Sequence, residues 1–222
     1  MARMIRFGFV LATSLALSIA SNGASARKPR AVATLTRVQL TTSIGPIVIA
    51  LETKRAPATA ANFLAYVDDK RFDGTLFYRA ARAKYDPRQG FIQGGIKTDA
   101  RRILPPFPLE TTDQTGVRHL SGTISMARRE DPKSAGGNYF ICVGPAPAMD
   151  ARPGHKGYAA FGHVVQGMDI VRKILAQPTA GGSDGMRGQM LVRPIRIISA
   201  RRLDGAPKPT GQVKPWLLAV PR

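Results

Sequence analysis

The stretch TLFYRAARAKYDPRQGFIQGG (residues 75–95) ends an apolar run on an arginine, Arg79, and sets a glutamine, Gln93, ahead of a glycine pair. Neither side chain is a nucleophile, a metal ligand or an ordinary acid/base group. Arginine supplies a permanent positive charge and rigidly arranged donors, and glutamine supplies one amide. A site made of this pair would do chemistry that needs a fixed positive donor, with the substrate brought in by the rest of the chain.

Commoner chemistries find little support. None of the histidines, His119, His155 and His163, stands at ligand spacing from a cysteine, a carboxylate or another histidine, so no metal is expected. GGSDG (residues 181–185) matches G-x-S-x-G on paper. A nucleophile elbow needs a strand before the serine, and QPTA precedes it here, so Ser183 reads as part of a flexible glycine-rich loop. No P-loop and no dinucleotide fingerprint is present, so no cofactor is expected. The basic pairs Arg101-Arg102, Arg128-Arg129 and Arg201-Arg202 are scattered, with few aromatics between them, so no specific nucleic-acid partner is expected.

The first residues read as a secretory leader. Arg3 and Arg6 precede an apolar run (residues 7–20), and Ala24-Ser25-Ala26 is a small-residue cleavage site. An uncleaved amphipathic anchor is the alternative. Without a twin arginine, the chain is expected to cross a membrane unfolded and to reside in the periplasm or outside the cell. Cleavage after Ala26 would leave 196 of the 222 residues and lower the formal net charge from +19 to +17, because the leader holds two arginines and no acid. That charge favours anionic partners: an envelope surface or acidic client proteins. The single cysteine, Cys142, cannot form an internal disulfide and reads as a small buried hydrophobe.

Around these residues the chain divides into a basic arm (27–35), a folded domain (36–203) and a Pro- and Lys-rich tail (204–222) whose WLLAV could pack back or dock elsewhere. RVQLTT and PIVIALE around SIG predict a β-hairpin. APATAANFLAYVDDKRF predicts a helix started by Pro57, with Ala60, Phe63, Leu64 and Val67 on one face. Strands are expected at 75–79, 122–127, 138–143 and 158–165. A second helix is expected at 167–177, with Met168, Val171, Ile174 and Leu175 inward. The final MLVRPIRIISARRL reads as one or two strands, with Pro194 at an edge or bulge. Seven or eight short strands and two helices give a mainly β domain, a closed barrel or a sandwich.

LFYR, FIQGG, GTISMAR, NYFICV and GYAAFGHVVQGMDIV, in this order, resemble cyclophilin-type peptidyl-prolyl cis-trans isomerases of the bacterial secreted branch, over residues 37–203. The resemblance implies a closed eight-stranded antiparallel β-barrel capped by two α-helices, no cofactor and no metal. It implies acceleration of X-Pro bond rotation in exported proteins during folding. Its partners would be proline-containing unfolded or extended polypeptides, with a monomer expected. Arg79 matches the family's catalytic arginine and Gln93 the glutamine bonded to it. Phe140 matches the pocket phenylalanine, and Met126 and Ala127 match the strand beside the groove. Asn138 stands at a position often held by glutamine. Met149 matches a leucine of the pocket wall. Tyr158 stands where animal members carry histidine and bacterial secreted members often carry tyrosine.

The segment between Arg79 and Gln93 is longer than the family's tight link. Counting back from QGG sets Gly90 at the second pocket aromatic; a gap restores Phe91 to it. Arg128 replaces a small polar residue, and Ala148 replaces an aromatic. The remodelled loop and the high charge keep open a second reading, a weakly catalytic or non-catalytic proline-peptide binding module or holdase on the same fold.

Overall fold

In the computed structural model, residues 35–212 are described. The expected leader, residues 27–34 of the arm and the WLLAV stretch lie outside the described residues. The strands are β1 (Thr36–Thr42), β2 (Gly45–Leu51), β3 (Leu76–Arg82), β4 (Gly90–Gly95), β5 (Thr123–Met126), β6 (Asn138–Val143), β7 (Ala160–Gln166), β8 (Thr179–Ala180) and β9 (Met190–Arg202). The α-helices are α1 (Pro57–Asp68), α2 (Thr112–Thr115) and α3 (Met168–Leu175). All strand pairs are antiparallel, in the order β1-β2-β7-β5-β6-β4-β3-β9-β8, and β1 also pairs with β9. That last pairing decides between sandwich and barrel. It closes eight strands into a barrel, with the two-residue β8 added to β9.

Alternation along the strands fills the interior with Val38, Leu40, Ile47, Ile49, Phe77, Ile92, Ile124, Tyr139, Ile141, Phe161 and Ile197, all buried. Helix α1 brings in Ala60, Phe63, Leu64 and Val67, as its period predicts. The Phe63 ring lies 5.1 Å from Phe72, 5.3 Å from Tyr139 and 5.2 Å from Phe161, so the helix packs directly into the strands' aromatic layer. Helix α3 contributes Val171, Ile174 and Leu175 to the same core, with Met168 packed against its edge.

The helix ends show why sequence spacing alone placed them only approximately. Pro57 opens α1, but the N–H groups of Ala58 and Thr59 donate to Glu110, at 3.0 and 2.7 Å, more than fifty residues along the chain. The carbonyls at the end of α3 accept from Arg82 of β3: Nε donates to Leu175 O at 3.0 Å and Nη2 to Gln177 O. This ties the second helix to the strand that carries Arg79. The two expected helices are α1 and α3, and the described residues add a third. The extra one, α2, is a single turn closed by Gln114, whose Oε1 accepts from Thr111 N, and by Gly116 at φ 68°. Four residues hold no period to read.

Two local features aim the site. Pro194 lies where the β3–β9 ladder skips, between Phe77 opposite Ile195 and Arg79 opposite Met190. A proline has no N–H to donate there, and the bulge sets Arg79 beside the start of β9. The extra residues between Arg79 and Gln93 extend only the β3–β4 hairpin tip, so the register Ala81–Phe91 and Arg79–Gln93 is kept. Cys142 is fully buried, and burial pushes its thiol up to about 12, which makes it inert packing. The described part of the tail lies along the end of α1, where Lys208 N donates to Asp68 and Thr210 N to Asp69. No helix among the described residues is long and apolar enough to cross a membrane.

Candidate active site

One row of residues crosses four neighbouring strands. Arg79 on β3 pairs with Gln93 on β4, Gln93 with Phe140 on β6, and Phe140 with Ser125 on β5. The adjacent row runs from Ala81 through Phe91 to Cys142. Residues that alternate with these, Ala80, Ile92, Tyr139 and Ile141, point into the core. Alternation therefore turns Arg79, Phe91, Gln93 and Phe140 to the outside of the barrel wall, side by side.

Arg79 is held by amides. Its Nη1 donates to Gln93 Oε1 at 2.9 Å. Its Nε and Nη2 both donate to Gln189 Oε1, at 2.9 and 2.6 Å, and Nη2 also reaches Gly185 O at 3.3 Å. The guanidinium carbon sits 5.0 Å from the centre of the Phe91 ring, a cation–π contact. Burial pulls the guanidinium below its ordinary pKa, yet arginine stays charged throughout the physiological range. Neutral acceptors satisfy its donors without cancelling that charge.

The Gln93 amide is itself fixed. Its Nε2 donates to Tyr78 Oη at 2.9 Å, and Tyr78 Oη donates to Asn138 Oδ1 at 3.2 Å. Asn138 is fixed in turn by Lys97, which donates its N–H to Oδ1 and accepts from Nδ2. This chain leaves Gln93 Oε1 only one way to face, towards Arg79. Burial raises the Tyr78 phenol to about 12, so it remains a neutral donor.

These groups border a cleft of about 600 Å³. Of the residues singled out in the sequence, Arg79, Gln93, Phe91, Phe140, Ala127, Asn138, Met149 and Tyr158 line it together. Met126 does not: it points into the barrel and is 1 % exposed, because alternation turns it opposite to Ala127 and Ser125. Phe91, and not Gly90, supplies the second ring, with its centroid 5.3 Å from that of Phe140. A Cβ at Gly90 (φ 137°) would lie 2.0 Å from Ala81 O, so that position is a hairpin hinge with no side chain to offer. Tyr158 stands edge-on to Phe140 at 5.4 Å, under the guanidinium of Arg128 at 5.1 Å. Arg128 itself donates to the carbonyls of Gly157, Arg129 and Glu130, so it braces the rim. Ala148 is exposed and outside the cleft lining.

Sequence reasoning missed Tyr78, Lys97, Gly185, Met186, Gln189 and Met190, all of which line the cleft or bond to Arg79. The one available signal was the glutamine closing the loop that starts at Gly181. Among the described residues no group of three metal-ligating side chains occurs. Among the described residues the cleft combines an apolar slot with the fixed Arg79 guanidinium, has Lys97, Arg128 and Arg129 also in its lining, and is lined by no acidic side chain. It can hold a ring and polarise a neighbouring atom.

A family model described as "Cyclophilin type peptidyl-prolyl cis-trans isomerase/CLD" matches residues 37–202. "Peptidyl-prolyl cis-trans isomerase A" of Dickeya dadantii is 38% identical over 173 residues, covering 77% of this chain and 86% of that protein. "Peptidyl-prolyl cis-trans isomerase" of Acinetobacter baylyi is 34% identical over 166 residues, covering 75% and 85%. Among solved structures, a cyclophilin type peptidyl-prolyl cis-trans isomerase of Cryptosporidium parvum aligns with TM-score 0.59 at 19% identity, covering 78% of this chain and 99% of that one. The same protein crystallised in the presence of the dipeptide Ala-Pro aligns with TM-score 0.57 at 20% identity, covering 76% and 99%.

Beneath Phe140 lies a buried polar group that the spacing of the histidines concealed. His119 Nδ1 is 2.7 Å from Asp150 Oδ1, its Nε2 is 2.9 Å from Ser125 Oγ, and its ring stacks on Phe140 at 5.8 Å. No ligand spacing in the sequence announces this contact, because the partners are thirty-one residues apart. Serine, histidine and aspartate are in line, but Ser125 is fully buried and no substrate atom can reach it. The group acts as a bolt between β5 and the loop that carries Met149. Burial holds the His119 imidazole below its usual 6.5, outweighing the pull of Asp150. The unfolded chain therefore binds this proton first as pH falls, and stability is lost below about pH 6.5. The unfolding free energy of the wild type should fall as the pH drops below about 6.5, with a shallower slope in His119→Gln. Denaturant titrations across that range measure it, and equal slopes would show that His119 titrates alike folded and unfolded.

Proposed function

The chain belongs to the cyclophilin-type peptidyl-prolyl cis-trans isomerase family, and from that premise we propose that it is an exported isomerase in which Arg79 is the catalytic donor. The observation that carries this reading is the half-buried Arg79 guanidinium, fixed by two amides beside the Phe91–Phe140 slot.

The mechanism follows from the amide bond. Conjugation gives the peptide C–N bond a rotation barrier of ~18–20 kcal/mol. An X-Pro bond reaches both isomers but exchanges over tens of seconds or more. Twisting the bond removes conjugation and returns electron density to the proline nitrogen. A donor aimed at that nitrogen stabilises the twisted state above either planar one, which is the condition for catalysis. The proline ring would occupy the slot of Phe91, Phe140 and Met149, with Ala127, Asn138 and Tyr158 along the peptide. That a similar cyclophilin was crystallised in the presence of Ala-Pro supports this class of ligand. No bond is cleaved, so the reaction needs no nucleophile.

The leader-like residues 1–26 support export, and the clients would be proteins folding in the periplasm or outside the cell. The formal net charge, +17 once residues 1–26 are removed, supports attraction to anionic envelope surfaces or acidic clients, and with the remodelled loop after Arg79 it favours a holdase as the second reading. The two differ in what Arg79 does. In a protease-coupled assay on an X-Pro peptide, wild type accelerates exchange and Arg79→Ala lowers kcat/KM about a hundredfold. No wild-type rate above background, with salt-sensitive binding of unfolded acidic proteins that survives Arg79→Ala, would favour the holdase. For export, the protein recovered from the periplasm or medium of a bacterial host should begin at Arg27; recovery only inside the cell with residues 1–26 intact would overturn this.

A further inference from the structure

The family reading leaves residues 181–189 unused. They form the loop of the β8–β9 hairpin, in which Thr179 pairs with Leu191 and Ala180 with Met190. Gly181, Gly182 and Gly188 all take positive φ, and Asp184 joins them at φ 50°. A Cβ at Gly182 would lie 2.4 Å from Met186 O, so the fold of this loop needs glycine there. The loop is closed by its own main chain: Gly188 N donates to Gly181 O, Met186 N to Ser183 O and Gln189 N to Met186 O. It is also fastened to β3, because Ala80 N donates to Gln189 O at 2.9 Å. The composition reads as a flexible loop, yet the end nearest Arg79 is anchored at both main chain and side chain.

Donor counting shows what that anchoring does. A guanidinium has five N–H groups. Gln189 takes the Nε proton and one on Nη2, Gly185 O takes the other on Nη2, and Gln93 takes one on Nη1. One donor, on Nη1, is left without an acceptor among the described residues. Gln93 alone would leave the group free to turn about its bond to Cδ. Gln189, gripping the Nε–Nη2 edge, stops that turn.

We propose that Gln189 is a positioning residue of the isomerase. The loop 181–189 holds one edge of the Arg79 guanidinium so that the remaining Nη1 donor is presented to the substrate. This inference rests on the reading of Arg79 as the catalytic donor. The rival is an autoinhibitory contact in which Gln189 competes with substrate for the arginine, and the two give opposite signs.

The test is Gln189→Ala, with Ser183→Ala in the same loop as control. Its readouts are steady-state kinetics, melting temperature and the solvent exchange of the Arg79 Nε–H followed by NMR. Positioning predicts that kcat falls about tenfold to a hundredfold with KM little changed. Exchange of the Nε–H becomes faster, the melting temperature is kept, and Ser183→Ala behaves as wild type. An unchanged or raised kcat, or Nε–H exchange identical to wild type, would overturn the proposal. The exchange readout needs no turnover, so it judges Gln189 independently, whereas an inactive wild type would count against the isomerase reading.

Discussion

Arg79 keeps a permanent charge in a half-buried position, and its donors must be met by the protein without being neutralised. A carboxylate would satisfy them more strongly but would remove the positive field that the site needs. The structure uses amide oxygens from Gln93 and Gln189 and a carbonyl from Gly185, and no acidic residue lines the cleft. Gln93 can act only if its amide faces one way, which Tyr78 and Asn138 ensure. Those residues in turn need the β3–β4–β6 register, which the closed barrel fixes by turning Ile92, Tyr139 and Ile141 inward.

Much of the positive charge is likewise internal in purpose. Arg82 satisfies carbonyls at the end of α3, and Arg102 donates to the carbonyls of Arg71 and Asp73. Arg128 braces the rim at Gly157, and Arg202 pairs with the buried Asp68. The planar fork of arginine meets two acceptors in one fixed geometry, whereas the three donors of a lysine ammonium rotate about a single nitrogen. The guanidinium groups of Arg82, Arg102 and Arg128 keep their charge while neutral carbonyls accept their hydrogens, so the field an anionic partner meets stays strongly positive.

What could be read from sequence follows the range of the interactions involved. Strand β6 was legible to the residue because NYFICV is a short apolar run bounded by glycines, and α1 was legible from Pro57 and its apolar face. The Arg79–Gln93 pair was legible through the family motifs LFYR and FIQGG alone, since the strand β4 that carries Gln93 was not among the expected strands. The Phe91 position stayed open because one sequence does not show where extra residues go. An antiparallel hairpin absorbs them at its tip, and only the pairing of Ala81 with Phe91 reveals that the register is untouched. Met126 was assigned to the groove by its neighbours in the motif, whereas alternation sends it inward. The Glu110 cap of α1, the His119–Asp150 contact and the reach of Gln189 to Arg79 join residues 31 to 110 positions apart, beyond any local pattern.

The central claim is that a fixed planar donor, and not a positive charge alone, lowers the rotation barrier. Arg79→Lys separates the two, since lysine keeps the charge but has neither the plane nor the paired edges that Gln93 and Gln189 hold. NMR exchange spectroscopy on an Ala-Pro peptide measures the isomerisation rate and the affinity in the same sample. The account predicts that exchange falls towards the uncatalysed rate while the peptide still binds in the Phe91–Phe140 slot. Catalysis retained by the lysine variant, or lost only in step with peptide binding, would contradict it.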